Sequence, residues 1–228
     1  MEDFNEAYKM RVGTIILTFA AGFCDALTFV TANALFSAHI TGNFILFAYE
    51  VAVTHHLTAW GKLISLPVFM LSVVLSGVLV KRIKNKYNLL VIEGVILIIA
   101  SLINFFGRPF LGDGSPALYF SYCISMVIVI AMALQNVFGR SYTKDTFGTT
   151  TMMTGNLISA SLLISGYFLR KNWEKAELIS LRRLLVTMAG FLFGCICGAL
   201  LGKEIGLTAA VIPGITLLLF FCGTTELL

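Results

Sequence analysis

Apolar runs of near-spanning length fill most of this chain, and polar breaks between them are short. Six runs qualify: Val12–Leu35, Trp60–Val80, Leu89–Phe106, Ala117–Phe138, Leu184–Leu201 and Ile205–Phe221. A helix that crosses a bilayer needs about 20 mostly apolar residues. These runs predict an all-α integral membrane protein with about six transmembrane helices. Composition agrees: 12% of residues are charged and 58% hydrophobic, where soluble domains carry about 25% charged residues. The basic residues fall in short clusters between runs, so they read as topology signals, and no folded face is left for nucleic acid. Met1–Arg11 reads as a polar lead-in, and the run after it as a first span rather than a cleaved leader.

Two shorter apolar stretches each begin with the same triplet. Thr41-Gly42-Asn43 precedes the run to Val53, and Thr154-Gly155-Asn156 precedes the run to Leu169. Thr or Asn ahead of an apolar run is a helix-start signal, because the side-chain oxygen can accept an orphan backbone N–H. Glycine lets the backbone turn or approach a neighbour closely. These triplets are expected to open two re-entrant or broken elements.

Other landmarks recur in the same order. Asp25 lies 16 residues before Thr41, and Asn136, preceded by Gln135, lies 18 before Thr154. Ser76-Gly77 matches Cys197-Gly198, and Glu93-Gly94 matches Pro213-Gly214. The chain therefore reads as a duplication: residues 1–107 as first repeat, 108–116 as linker and 117–228 as second repeat, in one compact membrane domain. Three spans per half would invert the second repeat relative to the first. With the N-terminus cytoplasmic, Lys9, Arg11, the 81–86 cluster, Arg140, Lys144 and the 170–183 cluster all fall inside, and Lys62, Arg108 and Lys203 outside. That is the usual excess of positive charge in cytoplasmic loops.

In an inverted repeat, two half-helices enter from opposite faces and their N-termini would meet near the midplane. Such a terminus offers unpaired N–H groups and about half a positive charge, which suits an anion. The expected substrate site comprises Asp25, Thr41, Gly42, Asn43, Gln135, Asn136, Thr154, Gly155 and Asn156. Asp25 is the sharpest residue, since a carboxylate at the centre of a spanning helix costs about 2.5–3.5 kcal/mol on insertion scales. It is expected to carry a proton, with His39 as a relay partner. Glu93 is expected to pair with the basic loop or reach water, and His55 and His56 to lie at the surface. The five cysteines sit in apolar runs without ligand or disulfide spacing, so they read as small core residues. No metal site or cofactor is indicated. Gly190, Gly194, Gly198 and Gly202 clear one face of the fifth span for close contact, within a protomer or between protomers of a homo-oligomer.

Gly22-x-x-Asp25-Ala26, His39-x-Thr41-Gly42-Asn43, Gln135-Asn136 and Met153-Thr154-Gly155-Asn156 together resemble the YoaK-type family of small multi-pass bacterial membrane proteins. That resemblance covers nearly the whole chain. It implies a bacterial cell-membrane location and carries no substrate. Where members of that family often have Gly-x-Gln-Asn-Ala, this chain has Ala133-Leu134-Gln135-Asn136-Val137. A looser analogy is to the sulfate- and uracil-permease fold, which has many more spans. The expected function is a small secondary transporter for a small, anionic solute, coupled to protons through Asp25. A passive channel or a non-transporting assembly or sensor protein are the alternatives. No nucleophile elbow, Cys/His pair or facing carboxylate dyad marks an enzyme.

Overall fold

A computed structural model describes residues 2–54, 59–112, 114–143, 145–147 and 149–225. His55, His56 and Lys144 lie outside the described residues. Among those described, eight α-helices follow one another: α1 (Glu2–Thr31), α2 (Ile40–Tyr49), α3 (Ala59–Arg82), α4 (Asn88–Gly107), α5 (Ser115–Ser141), α6 (Met153–Arg170), α7 (Lys175–Ile205) and α8 (Val211–Thr225). A π-helical turn, Glu50–Thr54, extends α2. Short 3-10 turns follow α4 at Arg108–Phe110 and join α7 to α8 at Gly206–Ala210.

Local chemistry explains why polar residues do not break these helices. On α1 the buried hydroxyls of Thr14, Thr18 and Thr28 each donate to the carbonyl four residues back, at 2.7, 2.9 and 2.9 Å. Each group is thereby satisfied without water, as an apolar surround requires. Pro116 stands in the first turn of α5, where its missing N–H costs nothing. The expected polar lead-in belongs to α1, which starts at Glu2. The basic link 170–183 is also largely helical: Glu174 and Glu177 form a reciprocal capping box, so α7 starts at Lys175.

Side-chain neighbours give the helix directions. Gly190, Gly194, Gly198 and Gly202 of α7 meet Thr18, Phe19, Phe23 and Leu27 of α1 in rising order, so the two helices run parallel. The chain then reverses at Gly206, whose φ is +62°. Phe220 and Phe221 of α8 return to Gly13, near the start of α1. Thr208, Gly214 and Phe221 meet Asn104, Gly94 and Tyr87 in turn, so α8 is also antiparallel to α4. Gly107 against Phe120 and Tyr87 against Phe138 set α5 antiparallel to α4. Gly61 of α3 abuts Tyr122, and Gly77 lines a cavity with Gln135 to Arg140, so α3 follows α5. Helices α1, α4 and α7 therefore point one way, and α3, α5 and α8 the other.

Five stretches are long and apolar enough to cross a membrane: Tyr8–Thr31, Ala59–Arg82, Asn88–Phe110, Ser115–Ser141 and Lys175–Gly223. The last combines α7 and α8, which the reversal at Gly206 folds into a hairpin. Helix pairing has a regular pattern: α1 with α7 and α5 with α3, α2 with α3 and α6 with α7, α4 with α5 and α8 with α1. Exchanging α1–α4 with α5–α8 turns each pairing into its mate. Lys86 is paired with Asp145 at 2.5 Å, and Arg183 covers the Phe147 ring. The basic loop, the α5–α6 connection and the start of α7 thus share one end of the bundle.

The glycine face of α7 is spent within the protomer. An ideal Cβ on Gly194 or Gly198 would overlap the carbonyl oxygen of Phe19 or Phe23, whereas one on Gly77 would meet nothing within 4 Å. Backbone cannot step aside as a flexible side chain can, and overpacking costs about 1–3 kcal/mol. Gly194→Ala and Gly198→Ala should each lower the thermal unfolding temperature of the detergent-purified protein, and Gly77→Ala should leave it unchanged or slightly higher. Equal effects at all three positions would refute the backbone seam.

Candidate functional site

The site begins where α1 ends. Thr31 is followed by Asn33 and Ala34 with φ of +48° and +60°, a left-handed pair that turns the chain back on itself. Asparagine tolerates that region, whereas alanine adopts it at a strain of about 1–3 kcal/mol. The returning segment reaches Asp25, six residues before the end of α1 and so about 9 Å along its axis. There the Asp25 carboxylate accepts N–H groups from Ser37 at 2.8 Å and Ala38 at 2.5 Å. Its second oxygen meets Nδ1 of His39. Helix α2 then climbs back, and Glu50 at its end meets Asn33 at the level where α1 ended. The first Thr-Gly-Asn element thus folds back along α1 as a loop followed by a short helix.

Each predicted residue has a definite place. Thr41 and Gly42 lie in the first turn of α2, after His39 in the cap position, and no side chain caps this helix. Asn43 is buried and acts as a staple rather than a cap. Its oxygen accepts Phe36 N–H at 2.8 Å, and its Nδ2 donates to the Phe36 carbonyl at 2.9 Å and Ser65 Oγ at 2.8 Å. The expected Thr and Asn capping is therefore replaced by a clamp on the extended segment. Gly42 is needed locally, since a Cβ would press on the Phe36 ring at 2.9 Å.

The second element repeats the staple with different chemistry. Asn156 lies seven residues after Thr149, as Asn43 does after Phe36, and its Nδ2 donates to the Thr149 carbonyl at 2.8 Å. Asn136 stands where Asp25 stands, five residues before the end of α5. Its oxygen accepts the Thr151 hydroxyl at 2.7 Å. Gln135 is fully buried, and its Nε2 donates to Leu17 O at 2.8 Å and Thr150 Oγ1 at 3.0 Å. Thr154 and Gly155 are exposed, and Gly155 has open space around it.

The two triplets are not brought together. Asp25, His39, Thr41 and Gly42 line a cavity of about 680 Å³ between α1, α2 and α7, walled mostly by apolar side chains such as Phe29, Phe36 and Phe191. Gln135 and Asn136 line a separate cavity of about 560 Å³ between α3, α5 and the segment before α6. The Gln135 bond to Leu17 puts the second group eight residues from Asp25 along α1, about 12 Å in height. The expectation of one midplane site built by facing half-helix N-termini gives way to two cavities. At the first, the Ser37 and Ala38 amides on the approach to α2 hold Asp25.

Sequence reasoning missed a buried ion pair beside this site. Lys62, expected in the outer water, has a fully buried side chain and pairs with Glu50. Asn33 donates to that Glu50 oxygen and also reaches Tyr122. Two further expectations fail. Glu93 is completely buried, and neither oxygen has a hydrogen-bond partner. Of the cysteines, Cys24 is buried, Cys195 and Cys197 are partly so, and Cys123 and Cys222 are exposed.

Multi-pass helices folded around buried polar loops define a membrane protein. A family model described as "Protein of unknown function (DUF1275)" matches residues 13–223, so the chain belongs to that family. No curated protein and no solved structure matches the chain.

His39 lies on the loop, outside the spanning helices. Its hydrogen bond to Asp25 holds its protonation above the usual imidazole range, against the opposing effect of partial burial. A raised folded value means that the pair's stabilisation is complete below the free-imidazole value of about 6.5 and is lost as pH rises through the folded value. The stability advantage of the wild type over His39→Ala should therefore shrink between mildly acidic and alkaline pH in thermal unfolding; a constant difference would refute the pairing. Lys62→Met should destabilise by roughly 3–5 kcal/mol, because it removes the counter-charge of a buried carboxylate. Adding Glu50→Gln should recover part of that loss, and a double variant no better than the single would count against the ion pair.

Proposed function

We propose that this protein is a small secondary transporter for a small, anionic solute, coupled to proton movement through Asp25 and His39. The carrying observation is that carboxylate–imidazole pair, set on a re-entrant loop at the wall of a 680 Å³ cavity. A carboxylate held by two amides keeps its place, while the imidazole beside it can gain and lose a proton near neutral pH. Transporters that couple ions to solute flux use this combination of broken helices and titratable groups inside the membrane.

We read the topology as six crossings with α2 and α6 re-entrant. Helix directions, the symmetric pairing of α1–α4 with α5–α8, and the basic residues collected at one end support an inverted repeat with a cytoplasmic N-terminus. The setting is the plasma membrane of a bacterial cell. The partners are the lipid bilayer and the solute, and a homo-oligomer remains compatible with the exposed apolar flank. The protein needs no cofactor and catalyses no covalent step.

Proteoliposomes loaded with a pH-sensitive dye provide the test. One member of a panel of small organic anions should drive proton entry with wild-type protein, and Asp25→Asn should retain solute flux without the proton signal. Solute flux with no proton movement in the wild type would make the protein a passive channel and overturn the coupling. Full coupling in Asp25→Asn would remove the residue from the mechanism.

A further inference from the structure

The cavity between α3, α5 and residues 149–152 differs in character from the one at Asp25. Arg140 is its one charged lining residue, and no carboxylate lines it among the described residues. The nearest acid in sequence, Asp145, is occupied by Lys86. Hydroxyls from Ser141, Thr143 and Thr150 and the amide of Asn136 share the wall with Phe69 and Val73. Its volume, about 560 Å³, lies in the range of small-molecule sites.

The lining is braced from behind. Gln135 is fully buried and donates to Thr150 Oγ1 at 3.0 Å, and Asn136 accepts the Thr151 hydroxyl at 2.7 Å. Ser141 and Thr143 are exposed at the wall, and a hydroxyl can accept as well as donate. We infer that this cavity binds a small organic monoanion that also carries a hydroxyl or N–H donor. Arg140 meets the anionic group, the Ser141 and Thr143 hydroxyls accept from the donor, and Phe69 and Val73 cover a short apolar body. This deepens the transport reading by giving the solute a site and a class, yet binding can be measured without transport.

The test is isothermal titration of the detergent-purified full chain with butyrate, 2-hydroxybutyrate and butylamine. The hydroxy acid should bind, and butyrate should bind roughly tenfold more weakly for want of one hydrogen bond. Butylamine should not bind. Arg140→Gln should keep the wild-type unfolding temperature, since Arg140 is exposed, and weaken both acids by about tenfold or more. No binding of either acid, equal affinity for the two acids, or unaltered affinity in Arg140→Gln would each overturn the inference. The titration is repeated in nanodiscs of neutral lipid with and without phosphatidylglycerol. Unchanged affinity supports a free solute; loss with the anionic lipid would assign the cavity to a headgroup and overturn it. Binding as expected without proton-coupled flux would leave this site standing and defeat the transport reading.

Discussion

Two backbone amides on one carboxylate hold the first half of this molecule in shape. After Thr31 the chain must leave α1, turn through Asn33 and Ala34, and run back beside α1 to Asp25 as irregular backbone. Unpaired N–H groups at that depth cost several kcal/mol each, so the loop needs acceptors. Asp25 supplies one oxygen to Ser37 and Ala38, and Asn43 clamps both polar groups of Phe36. Charge-assisted bonds contribute about 1.5–3 kcal/mol each, and two of them offset the insertion cost of about 2.5–3.5 kcal/mol for the carboxylate. Asp25 is therefore an anchor before it is anything else, and any role in proton movement uses atoms already committed to the fold.

The second half solves the same problem without charge. Asn136 and Thr151 replace Asp25 and the Ala38 amide, while the staple on the seventh residue back is kept. A neutral amide neither binds nor releases a proton near neutral pH, so the second loop has no counterpart of the Asp25–His39 pair. The other half gains Arg140 at its cavity instead. One cavity thus carries a carboxylate and an imidazole, the other a guanidinium among hydroxyls. Matching backbones with unlike side chains divide the labour between the halves.

What could be read from the sequence follows from depth rather than from facing. Apolar runs announced the spans, and polar residues inside such runs, Asp25, Asn43 and Asn136, announced the loops, because lipid leaves a polar atom few options. Spacing placed each triplet near its own Asp or Asn. It carried no information on whether the two halves face one another, and they line separate cavities. The Lys62–Glu50 pair was hidden because it forms only when α2 folds back to the end of α1; a Lys just inside the second span and a Glu at the end of the short apolar run were the available signals. Glu93 was misplaced because proximity to a basic loop in sequence ignores the turn of the helix, which here aims it into the core.

The two mated helix seams are built for different degrees of freedom. Along α1–α7, Gly22, Gly194 and Gly198 bring backbone against backbone, and close-packed contacts of that kind have no intermediate positions to slide through. Along α3–α5, Gly61 is tight against Tyr122 at one end, while Gly77 has open space and Gly139 only Thr150 at 3.9 Å at the other. That seam is a wedge, closed near Tyr122 and open around the Arg140 cavity. The α1–α7 seam is thus a rigid frame beside the Asp25–His39 pair, whereas the α3–α5 seam leaves room around the Arg140 cavity.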